Sequence, residues 1–126
     1  MSKNGEQKSQ ISDLQNLVKK FCEDRDWDQF HGPKDLAIGL ITEASELLEH
    51  FRFQSDNQCQ ELLRDPDQKE IIEDEIADAL FFILRFAQRF NIDLDLALRN
   101  KITKSAKKYP VELAKGNNRK YTNLKG

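Results

Sequence analysis

Leu14, Leu17, Val18 and Phe21 recur at the spacing of one helix face. They predict a helix that starts near Ser9 or Ser12 and runs to about Asp26. The stretch "DWDQFHGP" then breaks the pattern, and Gly32 and Pro33 suit the end of one element and the start of the next. A second helix is expected over 34–53, with a stripe of Ala37, Leu40, Ile41, Ala44, Leu47, Leu48 and Phe51. From Gln54 to Asp65 the periodicity weakens, and Cys59, Leu62 and Leu63 predict only a short turn of helix. Asp65 followed by Pro66 is a strong helix start, because aspartate caps and proline fits the first turn; Gln68 stands at the capping-box position. The third main helix should run from Pro66 to about Phe90. A fourth fits 93–108, capped by Asn91 or Asp93 and ended by Tyr109–Pro110. The remaining "VELAKGNNRKYTNLKG" reads as a short turn and a mostly irregular tail.

Strand signal is slight and internal repeats are absent. Four main helical segments predict an all-α, four-helix-bundle-like fold. The expected organisation is a leader over 1–8, one helical domain over 9–114 and a tail over 115–126. The stretch "IADALFFILRF" is apolar around most of a helix circumference, so it calls for neighbours on several sides. A second subunit would supply such cover; a plain four-helix monomer is the alternative.

Charge and composition narrow the function. The 126 residues suffice for one core. With 20 basic and 22 acidic residues the net charge is −2, which gives no support to a general nucleic-acid-polymer binder. The basic residues do gather between Arg99 and Lys125, where a polyanionic ligand could use them. Cys22 and Cys59 alone make neither a disulfide framework nor a thiolate metal site. No apolar run approaches the roughly 20 residues that span a bilayer. "MSKNGEQKSQ" carries no apolar core after its lysines, so no secretory signal is expected and the reading is cytoplasmic.

Acidic residues interrupt the apolar stripes. "LITEASELLEHF" sets Glu43 and Glu46 among leucines, and "IIEDEIADALFFIL" sets Glu75 and Asp78 three apart in the same way. Residues at this spacing share a helix face. If the two helices pack together, four carboxylates converge and repel unless cations or protons compensate them. An oxygen-only set suits magnesium or manganese rather than zinc. Glu49, Glu73 and Asp74 are outer acceptors or face water. The competing accounts are a solvated acidic face, or an interhelical ion-pair network with Arg52, Arg85 or Lys69.

The two blocks resemble the ExxE…ExxD signature of the all-α, MazG-like nucleoside triphosphate pyrophosphohydrolases. The likeness extends through "EDRDWDQFHGPKDLAIGLITEASEL", "EDEIADALFFIL", "FNIDLDLAL", "KKYP" and "NNRKYTNL", about residues 12–124, and is closest to the dCTP pyrophosphatase branch. It implies a homodimer or homotetramer and magnesium-dependent cleavage of a nucleoside triphosphate to monophosphate and pyrophosphate, with manganese a possible substitute. Glu43, Glu46, Glu75 and Asp78 would be the metal-binding catalytic acids, with Glu46 chosen as the base that takes the proton of the attacking water.

The same resemblance places Lys101 and Lys108 at the phosphates, with Lys120 and Tyr121 in a closing tail. The usual "NxxRYP" is here "SAKKYP", so Ser105 replaces an asparagine and Lys108 an arginine; lysine cannot reproduce the arginine fork. Trp27, His31, Phe53 and Phe82 are the candidate base pocket, where aromatic faces stack and polar edges read hydrogen bonds. Phe53 stands where tryptophan is usual and Phe82 where tyrosine is usual; plain core packing is the alternative for both. The substrate class expected is a deoxy pyrimidine triphosphate, in a nucleotide-pool-cleansing role. Two other functions fit the residues: a non-catalytic helical interaction module, and a hydrolase of another phosphorylated metabolite.

Overall fold

The computed structural model describes residues 10–124, so the expected leader over 1–8 lies outside the described residues. All regular structure in this range is helical. The residues divide into two compact units, one ending at Ile92 and the other beginning at Asp93.

The first unit opens with α1, Gln10–Asp24. Asp26 then takes a left-handed conformation (φ 57°), and its N–H bonds Glu23 O while the Trp27 N–H bonds Cys22 O. This paired closure satisfies carbonyls that the helix end would leave free. It also fixes where Trp27 leaves the helix. A single 3-10 turn, Asp28–Phe30, leads through His31 to α2, Pro33–Glu49, with Pro33 in its first turn.

Helix α2 is shorter than the expected 34–53. The N–H groups of His50 and Phe51 turn back to Leu47 O and Leu48 O, and the Gln54 N–H bonds Phe51 O, so the chain leaves the helix in successive tight turns. The weakly patterned stretch that follows is a nine-residue helix, α3, Asp56–Arg64. Ser55 and Gln58 cap it reciprocally: the Gln58 N–H donates to Ser55 Oγ, and the Ser55 N–H donates to Gln58 Oε1. Helix α4, Pro66–Arg89, starts at Asp65, whose carboxylate accepts from the Asp67 N–H rather than joining Gln68 in a capping box. Asn91 (φ 55°) closes α4, with the Ile92 N–H on Ala87 O.

Helix α4 is the centre of this unit. It packs most extensively on α2 and also meets α1 and α3, which covers part of its apolar circumference and leaves Ile76, Leu80 and Ile83 exposed. The buried apolar side chains are Cys22, Leu36, Ile72, Leu84 and Ala87, and Arg85 is buried beside them.

The second unit holds α5, Leu94–Lys108, then α6, Val111–Ala114, and a 3-10 turn, Tyr121–Asn123. Asp93, not Asn91, caps α5 by accepting from the Leu96 N–H. Among the described residues, five helices of nine residues or more therefore stand where four main segments are expected from the pattern.

Candidate active site

The pairing of α2 with α4 brings acids from both helices together. One carboxylate oxygen each from Glu43, Glu75 and Asp78 lies within 4.8 Å of the others. Glu46, one turn further along α2, is exposed and stands outside this trio. It acts on the trio through charge. The Glu43 carboxyl is pushed above the usual glutamate range, first by burial, then by Glu46, Asp78 and Glu75. No ion pair among the described residues joins the trio to arginine or lysine. Arg52 pairs with Glu49, and Arg85 with Asp28. The interhelical ion-pair account of these acids is thereby set aside.

Glu75 carries the decisive detail. Its Oε2 is buried without a hydrogen-bond partner, while Oε1 lies 3.7 Å from His50 Nε2. A buried carboxylate oxygen left without a donor is costly. Three carboxylates, one of them with an orphaned oxygen, form a hard, all-oxygen, anionic donor set that fits a divalent cation of the magnesium or manganese class. Glu43, Glu75 and Asp78 would hold it.

A second cluster is built from the turn after α1. Trp27 and His31 meet edge to face with ring centroids 5.9 Å apart. Phe21 meets Trp27 at 5.6 Å and Phe81 at 6.0 Å, and Phe81 meets Phe82 at 5.5 Å. Three of the four base-pocket candidates, Trp27, His31 and Phe82, thus belong to one aromatic chain. Phe53 does not join it; it is 81% exposed and lies under the Arg52 guanidinium.

Arg85 organises the turn. It donates from Nε to His31 Nδ1 at 2.8 Å and from Nη1 to Gln88 Oε1 at 2.6 Å, and its Nη2 pairs with Asp28. The guanidinium bond holds the Asp28 carboxyl below the usual aspartate range. Burial, then Arg85 and Arg89, lowers the His31 pKa. Sequence reading missed Asp28, Arg85 and His50 in these positions. The first two lie 57 positions apart, and no local spacing links them.

In the second unit, Lys101, Lys108 and Lys120 are exposed. The Lys108 ammonium lies 4.8 Å from the centre of the Tyr121 ring, which meets Tyr109 edge-on at 6.0 Å. The tail tyrosine therefore rests on the end of α5.

Comparison with known proteins settles the family. The MazG-like family model matches residues 38–124, which spans both acidic blocks. The chain belongs to the MazG-like family. This MazG-like chain is 33% identical over 114 residues to dCTP pyrophosphatase 1 of Homo sapiens, covering 90% of the chain and 67% of the relative. The Mus musculus protein of the same name matches equally, at 33% over 114 residues. A crystal structure of a pyrophosphatase from Archaeoglobus fulgidus DSM 4304 superposes with a TM-score of 0.77 at 31% identity, over 86% of this chain and 99% of that one. Membership makes the MazG-like chain an enzyme of the nucleoside triphosphate pyrophosphohydrolase class, as the family resemblance implied.

Proposed function

We propose that the protein hydrolyses a deoxynucleoside triphosphate, dCTP or a related pyrimidine nucleotide, to the monophosphate and pyrophosphate with magnesium as its cofactor and manganese as a substitute. The carrying observation is the convergence of Glu43, Glu75 and Asp78, with one Glu75 oxygen buried and orphaned, in a chain similar to dCTP pyrophosphatase 1. Glu43, Glu75 and Asp78 hold the cation. When bound, the cation offsets their mutual repulsion, polarises the phosphoryl group and acidifies the attacking water. Water oxygen bonds to the α-phosphorus, the bond to the bridging oxygen breaks and pyrophosphate leaves. Glu46, exposed and one turn from Glu43, takes the water's proton. It is the acid of the four left outside the trio, so its lone pairs are free for that role.

Trp27, His31 and Phe82 meet the base, and Phe53 is the outlying member of that set. Phosphate contacts fall to Lys101, Lys108 and Lys120 on the basis of the sequence resemblance, with Tyr121 marking the tail. The cellular role is nucleotide-pool cleansing in the cytoplasm, and no helix among the described residues is long and apolar enough to cross a membrane.

The unit of function is a homodimer or homotetramer. Its support is apolar surface. Ile38, Ile41 and Leu48 on α2, and Ile76, Leu80 and Ile83 on α4, are exposed. Stripes of this kind on a soluble chain mark surfaces that another protein covers.

A nucleotide panel tests the reading. With magnesium, dCTP should give equal amounts of dCMP and pyrophosphate, and non-nucleotide phosphates should be poor substrates. Free phosphate with dCDP would contradict the bond assignment.

A further inference from the structure

Arg85 is a wholly buried charged residue in a unit with few buried side chains. A buried guanidinium is expensive unless its donors are engaged. Here one donor stays on α4, where Nη1 reaches Gln88, and two go to one turn: Nη2 reaches Asp28, which opens the 3-10 turn, and Nε reaches His31, which follows it. Arg89 adds a longer bond from Nη2 to Asp28 O at 3.5 Å. Two arginines of α4 therefore pin the turn that carries Trp27 and His31.

The bond to His31 has a chemical consequence. Arginine carries five N–H donors, no acceptor and a permanent charge. A ring nitrogen that receives its Nε–H must present a lone pair. Nδ1 of His31 is therefore unprotonated, and in the neutral imidazole the single proton sits on Nε2. An imidazolium would set N–H against N–H beside a cation. Burial first, then Arg85 and Arg89, opposes protonation, and Asp28 and Asp35, the facing carboxylates, favour it; the balance lies below the ordinary histidine value. Nε2 has no hydrogen-bond partner among the described residues, and it is not a buried orphan. His31 is left with one unused polar group, and that group is a donor.

We propose that Arg85 is a positioning residue for base recognition, holding His31 as the neutral Nε2–H tautomer so that it reads a hydrogen-bond acceptor on the base. The ligand chemistry is then a pyrimidine edge presented through its carbonyl oxygen or ring nitrogen acceptor. An exocyclic amine cannot be the group that His31 reads. This rests on the nucleotide-hydrolase reading, but the tautomer can be measured apart from catalysis.

Long-range proton–nitrogen correlation spectra of the uniformly nitrogen-15-labelled full chain report imidazole tautomers directly. Only two histidines are present, and a His50→Gln spectrum assigns the other. The expected pattern for His31 is a protonated Nε2 and an unprotonated Nδ1 at pH 7, persisting as the pH falls through the ordinary histidine value. Addition of dCMP should shift Nε2. An Nδ1–H tautomer or an imidazolium at pH 7, or an Nε2 signal indifferent to saturating dCMP, overturns the proposal. Arg85→Met removes the donor at similar volume. If it folds, the single tautomer should be lost and KM for dCTP should rise about tenfold, the worth of one good hydrogen bond, with kcat within about threefold. Loss of the tautomer with unchanged KM overturns the proposal; if the variant does not fold, the spectra of the unaltered chain decide. Failure of the unaltered protein to cleave dCTP would instead remove the enzyme reading and leave the tautomer result intact.

Discussion

Gly39 and Phe82 stand so close that a Cβ built on the glycine would lie 2.4 Å from Phe82 Cε1 and 2.6 Å from Cζ. Gly39 sits inside α2, where glycine costs about 1 kcal/mol relative to alanine. The missing side chain lets the Phe82 ring of α4 lie directly on the α2 backbone.

Gly39→Ala therefore sets two effects against each other. Helix propensity favours alanine by about 1 kcal/mol. Overpacking against a half-buried ring costs about 1–3 kcal/mol. The larger cost wins, and the variant should melt at lower temperature. Adding Phe82→Leu, which removes the opposing ring, should return part of the loss in a double-mutant cycle. A stabilised Gly39→Ala protein would show that Phe82 moves freely and is not held in the aromatic chain.

The apolar surface predicts assembly. Ile41 is 71% exposed and Leu48, two turns along α2, 55%. Light scattering at low micromolar concentration should give at least a dimer. Ile41→Glu should lower that mass without loss of helical content. A monomer across this range that cleaves dCTP at the full rate would contradict the assembled unit.

Glu43 sets a pH dependence in the cation-free protein. Its carboxyl titrates above the usual glutamate range in the folded state. The folded state then holds a proton that the unfolded state has released, so stability is greatest below the unfolded value and is lost as pH rises through the folded one. With chelator present, thermal stability should decline as pH rises from the ordinary glutamate range. Glu43→Gln should flatten that decline, and magnesium should offset it in the unaltered chain. An identical slope in Glu43→Gln would remove Glu43 as its source.

The sequence pattern carries much of this fold, for reasons visible at particular residues. Helices α1, α4 and α5 show long apolar stripes, and Asp65 and Asp93 mark two starts with side chains that do cap them. Helix α3 has only Cys59, Leu62 and Leu63 as apolar signal, and its Ser55–Gln58 capping box is the cue that goes unread. Phe51 continues the α2 stripe in sequence, so periodicity alone overshoots the end at Glu49. The acids are legible as pairs but not as a geometry. Three residues along a helix turn through roughly 300°, so each pair spreads over about 60° of its face. On α4 both acids still reach the centre; on α2 Glu43 does and Glu46 does not. The Arg85–Asp28–His31 contacts join α4 to a turn more than 50 residues earlier, and only the packed chain reveals them.

The central claim is that Glu75 holds the catalytic cation, and Glu75→Gln tests it most directly. The change keeps side-chain volume but removes an anionic donor, and a carboxamide balances no metal charge. Thermal unfolding with and without magnesium is measured beside pyrophosphate release from dCTP. The account predicts a folded variant whose cation-free stability holds or rises, because repulsion with Glu43 and Asp78 is relieved. Magnesium should stabilise it less than the unaltered protein. Turnover should fall more than about 100-fold, beyond the usual cost of losing an outer partner of a metal ligand. Normal turnover with undiminished stabilisation by magnesium would contradict the claim.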